Sequence, residues 1–298
     1  MSYEILELLK DEDISFEENI GLDKLSYIRA GGSASLSASP DTLRKLCTLT
    51  SYLAEAGMPY KVIGRMSNTM SHSGLYEGVI IKTDKLTRKY EAENCVSAEC
   101  GVKLSELLWS CARRGLGGGE ELFLIPASVG GAVYNNAGAH GRCIADIISS
   151  CDVYLPKERK RVTLSASEMC LGYRESFLKN NDAVLLDAKF SFVYKSFLEI
   201  KARITECAKI RRASQPLEYP SLGSVFKRHE GVGAGYYIER AGLKGKRIGG
   251  AEVSRKHAGF IINVGGATPE DICELISEVK NCVFDTFGIM LEEEIEII

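Results

Sequence analysis

The sequence predicts an α+β protein in which short strands and amphipathic helices are mixed around more than one core. Three observations carry this. Segments of helical period and segments of strand period follow one another along the whole chain, without the regular strand–helix alternation of a parallel sheet. No internal repeat and no low-complexity linker occurs, so the domains are expected to pack together rather than hang on tethers. The 298 residues suffice for one large domain or two to three smaller ones.

The elements follow in order. The first 25 residues read as a short helix and an irregular lead-in. Asp41 to Ala56 reads as an amphipathic helix: Asp41 can cap it, Leu43, Leu46, Cys47 and Leu53 share a face, and Gly57 stops it. Tyr60 to Ile63 is a short strand that runs into the polar loop GRMSNTMSHSG, and Val79 to Ile81 is another strand. Leu104, Leu107, Leu108 and Cys111 mark a second helix ended by Gly115. Cys151 to Leu155 and Ala183 to Phe192 read as strands. Phe197 to Arg212 reads as a helix broken by Gln215-Pro216, and a shorter helix lies around Tyr237 to Ala241. Thr268-Pro269-Glu270-Asp271 opens a strong helix, with threonine as cap, proline at the first position and acids in the first turn. Ile272, Leu275, Ile276, Val279 and Val283 form its buried face, and Gly288 closes it. Ile289 to Ile298 is expected to return as a strand.

Composition narrows the function. The chain is 45% apolar and 26% charged, with a formal net charge of −3. That is the composition of a globular domain, with no basic surplus to drive sequence-independent nucleic-acid binding. No apolar run approaches the about 18 residues of a membrane span, and the acidic, mixed N-terminus is unlike a signal peptide. A cytoplasmic protein is expected. None of the ten cysteines pairs as C-x-x-C, and the four histidines lie far apart. Metal-ligand spacing is therefore absent, and most thiols are expected to be buried, inert groups.

Five segments could carry chemistry. The stretch IPASVGGAVYNNAGA (125–139) is rich in small residues. Its N–H groups could approach an anion closely, or the stretch could be a tight buried bend. Gly64-Arg65-Met66-Ser67-Asn68 directly follows a strand, so its N–H groups are well placed for a phosphate, though alone this is a weak signal beside an ordinary polar turn. In Gly172-Tyr173-Arg174-Glu175-Ser176 the arginine could clamp a carboxylate, though most such arginines are surface groups. Ser224 in PSLGSVFK follows a glycine, yet no G-x-S-x-G and no triad context supports a hydrolase. The acidic run Glu292-Glu293-Glu294-Ile295-Glu296 would place Glu292, Glu294 and Glu296 on one side of a strand, an arrangement usually just solvated. No dinucleotide fingerprint and no P-loop occurs in its proper context.

Taken in order, the motifs resemble the UDP-N-acetylenolpyruvoylglucosamine reductase family, also called UDP-N-acetylmuramate dehydrogenase. They are RAGG (29–32), VIG-x-x-SN (62–68), G-L-x-G-x-E (115–120), IPASVGGAVYNNAGA (125–139), GYRES (172–176), QPLEYPSLGSVFK (215–227), AGLKGKRIGGAEVSRKHAGFIIN (241–263) and FGIMLEEEIEII (287–298). The resemblance spans nearly the whole chain. It implies an FAD-binding fold of the vanillyl-alcohol-oxidase (PCMH) type in two subdomains, residues 1–84 and 85–195, plus an α+β substrate domain, 196–298. It implies non-covalent FAD, with His140 and Cys143 the nearest candidates for a tether that the family match does not require. It also implies NADPH as hydride donor and reduction of the enolpyruvyl group of a UDP-sugar to its D-lactyl ether. Expected partners are small molecules, with no nucleic acid and no membrane.

Residue by residue, the resemblance implies catalytic roles for Arg174, Ser224 and Glu294. It implies FAD contacts from Arg29, Gly64, Arg65, Met66, Ser67, Asn68 and Thr69, from Pro126, Ala127, Ser128, Gly130, Gly131, Ala132, Asn136, Gly138, Ala139 and Ile144, and from Arg247. Gln215 and Lys227 are implied substrate contacts, with Lys227 also a donor beside Ser224. Departures from the pattern are Met66 and Ala127 where glycine is usual, Ser33-Ala34-Ser35, Arg228-His229 and Gly259. A Cβ at Met66 or Ala127 is expected to crowd a pyrophosphate and weaken flavin binding. Arg174 and Ser224 lie 50 positions apart, which resembles the family's shorter form without an extra tyrosine loop. The alternatives are a flavin oxidase of the same fold and a non-catalytic nucleotide-sugar-binding paralogue.

Overall fold

The structure, a computed structural model, describes residues 3–298. The chain forms two compact units, each discontinuous in sequence. The first contains residues through Glu18, Ser35–Arg65 and Glu77–Lys209; the second contains Asn19–Ala34, Met66–Tyr76 and Ile210–Ile298.

Two sheets organise the first unit. One is a four-stranded sheet in the order Ser15–Gly21, Ser33–Ser39, Leu75–Lys82, Tyr60–Ile63, and its last two strands run parallel. The other is antiparallel, in the order Lys160–Ser165, Ile148–Leu155, Val184–Ser191, Cys95–Glu99, Lys89–Glu91. Helices Leu43–Glu55 and Leu104–Arg113 bury Leu46, Leu49 and Leu53, and Leu104, Leu107, Leu108 and Cys111, in the same core. The cap of the first helix differs from expectation by one residue. Thr42 Oγ1 accepts the Lys45 N–H at 3.3 Å, while Asp41 pairs with the buried Lys45 ammonium at 3.0 Å. Both residues are competent caps, and Lys45 needs a carboxylate once it is inside.

Several strands were not legible in the sequence, among them Ser15–Gly21, Ser33–Ser39, Cys95–Glu99, Lys160–Ser165 and Phe260–Asn263. SASLSAS buries five of its seven positions with alanine, serine and one leucine, a composition that imitates a loop. Fewer thiols are buried than expected: Cys100, Cys111, Cys151 and Cys207 are buried, five others are half-buried and Cys170 is exposed. Burial pushes Cys47 up to about 11 and Cys111 and Cys151 up to about 12, and it raises Cys100 further.

A row of carboxylates crosses the five-stranded sheet. Asp152 lies opposite Asp187, and Asp187 opposite Glu99. Arg161 binds both aspartates, reaching Asp187 at 3.2 Å. Burial pushes Asp187 up to about 6, Asp152 adds to the rise, and Arg161 opposes it. A carboxyl raised in the folded state binds its proton more tightly than in the unfolded chain, so its contribution to stability grows as pH falls from above 6 towards 4. Asp187→Asn is therefore expected to stabilise the protein by about 1–2 kcal/mol at pH 8, discounted for solvent screening, and to flatten this pH dependence. Urea unfolding at pH 5 and pH 8 checks it; an unchanged difference between the two pH values would refute the assignment.

The second unit is built on an antiparallel sheet in the order Ser221–Ser224, Phe260–Asn263, Ala251–Val253, Arg247–Ile248. Helix Pro269–Phe287 buries Ile272, Leu275, Ile276, Val279 and Val283 in this unit's core. Thr268 and Asp271 form a reciprocal capping box, and Gly288 closes the helix at φ +71°. The expected strand over Ile289–Ile298 shrinks to Glu296–Ile297, which pairs in parallel with Thr69–Met70. Upstream of it the chain is extended but touches its neighbour through a single bridge, Phe226 to Glu293. Glu292 is exposed and paired with Lys227, Glu294 and Glu296 are half-buried, and Leu291 and Ile295 are buried. Among the described residues, no helix is long and apolar enough to cross a membrane.

Candidate active site

The loop leaving strand Tyr60–Ile63 begins at Gly64, where a Cβ would fall on Ser128 Oγ. Only glycine fits there, and the contact brings this loop beside the small-residue segment within the first unit. Met66 then adopts φ +45°, the left-handed region. The N–H groups of Met66, Ser67 and Asn68 donate to no acceptor among the described residues. Successive uncommitted amides around a left-handed residue form a concavity suited to a phosphate.

Met66 itself does not crowd that concavity. Its side chain is only 4% exposed, so the methionine fills the interior while its backbone pays a conformational cost. Glycine there would relieve about 1 kcal/mol of left-handed strain but lose roughly 2–3 kcal/mol of buried apolar surface. Met66→Gly is thus expected to destabilise the protein by about 1–2 kcal/mol without tightening FAD. Chemical denaturation together with FAD titration of the apoprotein tests this; a more stable or tighter-binding variant would contradict it. Ala127 likewise needs no glycine: its φ is negative and its methyl group joins the core.

The small-residue segment turns out to be a tight bend at its helix start. Ser128 caps helix Val129–Tyr134, its Oγ accepting the Gly131 N–H at 3.3 Å. The Val129 and Gly130 N–H groups donate to the Val102 and Cys100 carbonyls, each at 2.8 Å. These three amides are committed to the protein, so the anion-cradle reading does not hold at them. A Cβ at Gly130 would lie 3.1 Å from the Cys100 oxygen, which explains the glycine by packing. Ala132 and Ile144 are fully buried, backbone and side chain alike. Gly138-Ala139 pairs with Arg142-Cys143 in a small, half-buried hairpin, and Pro126 is half-buried before the bend.

Arg174 sits on a strained tip. Gly172 and Glu175 exchange both backbone hydrogen bonds, at 3.2 and 3.3 Å, leaving Tyr173 and Arg174 as a two-residue turn. Arg174 has φ +59°, and its guanidinium carbon lies 5.1 Å from the centre of the exposed Tyr173 ring. A left-handed arginine costs about 1 kcal/mol or more, a pattern that concentrates at functional positions. Ser176 anchors the exit from the turn, its buried hydroxyl donating to the Tyr134 carbonyl at 2.7 Å.

In the second unit Ser224 ends its strand beside a register irregularity, after Gly223 at φ +81°. The next three residues face the C-terminal acids. Glu294 N–H donates to the Val225 carbonyl at 2.7 Å, and Lys227 N–H donates to the Glu292 carbonyl at 2.8 Å. Ser224 and Glu294 therefore lie on adjacent antiparallel segments. Asn68 holds the other side: its Nδ2 donates to the Glu294 carbonyl at 3.0 Å, and its carbonyl accepts the Glu296 N–H at 2.9 Å. The strand pairing of Thr69 with Glu296 continues that seam.

The remaining expected residues are placed as follows. The Lys227 ammonium is paired with Glu292 at 3.2 Å. Gln215 Oε1 is buried and accepts no hydrogen bond among the described residues. Arg247 is exposed, with Nε donating to the Gly249 carbonyl at 2.9 Å. Arg29 is exposed at φ +56°. Its loop is held by a residue that sequence reasoning did not single out: buried Asn263 donates to the Ile28 carbonyl at 2.9 Å and accepts the Gly265 and Ala267 N–H groups. Its place at the end of the FIIN run was the available signal. No group of three or more metal-ligating side chains occurs among the described residues.

Comparisons with known proteins agree on one family. Residues 215–298 match the family described as UDP-N-acetylenolpyruvoylglucosamine reductase, C-terminal domain, and residues 34–163 match an FAD binding domain. A UDP-N-acetylenolpyruvoylglucosamine reductase of Streptococcus pneumoniae (strain JJA) is 42% identical over 294 residues, covering 99% of this chain and 97% of the relative. The protein of that name from strain 70585 is 41% identical over the same length. The crystal structure of UDP-N-acetylenolpyruvylglucosamine reductase from Thermus caldophilus superposes with a TM-score of 0.82 at 29% identity, covering 95% of this chain and 99% of that one.

Proposed function

Because the chain belongs to the UDP-N-acetylenolpyruvoylglucosamine reductase family, we propose that Arg174, Ser224 and Glu294 are the groups that carry its reaction. The protein is an FAD-dependent enzyme of the PCMH-type fold with the family's C-terminal domain. It uses NADPH to reduce the enolpyruvyl group of UDP-N-acetylglucosamine enolpyruvate, giving UDP-N-acetylmuramate for peptidoglycan synthesis. In the domain reading that accompanies this proposal, residues 1–84 and 85–195 hold the flavin and 196–298 the sugar nucleotide. The cytoplasm is the proposed location, with neither membrane nor nucleic acid as partner.

FAD, when bound, would supply the redox chemistry between NADPH and C3 of the enolpyruvyl group. Everything else falls to this chain. The Met66–Asn68 amides suit the pyrophosphate, and Gly64 lets the loop lie against Ser128. Addition at C3 leaves an electron pair at C2 that delocalises into the carboxylate. Arg174 would pair with that carboxylate as a planar fork, and Glu294, as a hydrogen-bonding acid, would share the developing charge. Ser224 would deliver the proton to C2, completing the lactyl ether. The observation that supports this assignment best is the register placing Ser224 beside Glu294 through the Val225 carbonyl at 2.7 Å. The purified protein is expected to be yellow, and acid precipitation should release all of the flavin to the supernatant. A colourless protein that binds no FAD would favour the non-catalytic paralogue, and colour retained in the pellet would overturn non-covalent binding.

A further inference from the structure

Asn136 offers a side-chain amide that is 5% exposed as a residue and engaged at both ends. Its Oδ1 accepts the Ala145 N–H at 3.0 Å, and its Nδ2 donates to the Gly172 carbonyl at 2.7 Å. Gly172 is the first residue of the turn that carries Arg174. Asn136 therefore ties the end of the small-residue segment to the base of that turn, 36 positions away in sequence.

We infer that the buried Asn136 side chain is a positioning residue for Arg174, fixing the turn that aims the guanidinium at the substrate carboxylate. The reason is mechanical. A two-residue turn with a left-handed arginine at its tip stores strain, and it stays in one geometry only if its base is held. Gly172 and Glu175 close the base through their mutual backbone bonds, and the short bond from Asn136 pins that base to the rigid end of helix Val129–Tyr134. A bidentate carboxylate contact tolerates little displacement. Asn136 is itself left-handed at φ +39°, a conformation asparagine accepts readily, so the residue could be there for its backbone alone. The test separates the two roles.

The inference rests on Arg174 being the carboxylate-binding group, so the experiment examines that first. FAD-loaded wild type, Arg174→Ala, Asn136→Gly, Asn136→Asp and the double variant Arg174→Ala/Asn136→Asp are titrated calorimetrically with two ligands. UDP-N-acetylmuramate carries the carboxylate, and UDP-N-acetylglucosamine lacks it. Asn136→Gly keeps the backbone freedom and removes both hydrogen bonds. Asn136→Asp keeps the acceptor for Ala145 and removes the donor to Gly172.

Both Asn136 variants are expected to weaken UDP-N-acetylmuramate binding by about tenfold, the scale of one lost buried hydrogen bond, and to leave UDP-N-acetylglucosamine binding unchanged. In the Arg174→Ala background Asn136→Asp should add nothing, because the partner it acts through is gone. If Asn136→Gly does not fold, Asn136→Asp carries the test alone. Equal weakening of both ligands, no weakening of either, or full additivity in the double variant would overturn the inference while leaving the arginine's role intact. Arg174→Ala affecting both ligands alike would instead overturn the assignment of Arg174, and the positioning role with it.

Discussion

Replacing Ser224 with alanine is expected to leave the NADPH half of the reaction nearly normal and to slow transfer to the enolpyruvyl substrate by roughly 10²–10⁴. The two halves share the flavin but not the proton delivered to C2. Ser224 stands at the end of a strand whose next residue is bonded to Glu294, so its loss should act on that proton alone. A serine is a weak acid, and its effectiveness depends on a fixed position and a second donor behind it. Lys227 is the expected donor; its ammonium is paired with Glu292 at 3.2 Å, which leaves further N–H groups free to donate. Ser224→Cys should keep partial activity, since a thiol can also donate. Anaerobic stopped-flow at the flavin band resolves the halves. Equal slowing of both would reduce Ser224 to a structural role, and an unaffected second half would pass the proton to another group.

Removing Arg174 is expected to cost about 10²–10³ in turnover, the usual scale for losing one preorganised partner of a developing anion. The charge on the substrate carboxylate grows as C2 becomes carbanionic, so the loss should fall on kcat rather than on KM alone. Arg174→Lys should not rescue fully, because lysine lacks the planar fork. It would also remove the flat guanidinium that now lies 5.1 Å from the Tyr173 ring. Glu294→Gln, which keeps a hydrogen-bond donor in place, should be the milder of the acid's replacements and Glu294→Ala the more severe. Steady-state kinetics decides the matter. An Arg174→Ala enzyme with raised KM and unchanged kcat would make the arginine a binding residue only.

Local chemistry was the most legible part of this chain. Thr268, Pro269 and Asp271 announce a helix start in four letters, and Gly288 announces its end, because capping involves neighbours in sequence. Thr42 and Asp41 show the limit of that reading: adjacent residues can both cap, and the choice was decided by Lys45, a buried ammonium needing Asp41. Ser33–Ser39 was illegible because its buried positions are filled mainly by alanine and serine, which carry no strand-period contrast. Ile289–Ile298 misled in the opposite sense. Its alternation suits a strand, but strand pairing requires a partner, and among the described residues Thr69–Met70 alone supplies a ladder.

The site was legible as a set of motifs and not as a set of contacts. The order of motifs named the family, while the structure shows which contacts individual residues make. Gly130 is a glycine because it packs on Cys100, and Asn136 and Asn68 direct their amides to the Gly172 and Glu294 carbonyls. Met66 hides its side chain and leaves only backbone to the loop. Each of these depends on a partner tens to hundreds of positions away, which no local pattern encodes.

The most direct test of the central claim is the product of a single anaerobic turnover. The FAD-loaded enzyme is reduced with one equivalent of NADPH, mixed with UDP-N-acetylglucosamine enolpyruvate in D₂O, and the sugar nucleotide is examined by mass spectrometry and NMR. The expected product is UDP-N-acetylmuramate, with a D-lactyl ether carrying solvent deuterium at C2 and the flavin band restored in step with it. A flavin that stays reduced until oxygen is admitted, with the enolpyruvyl group recovered intact, would contradict the assignment of this site to enolpyruvyl reduction.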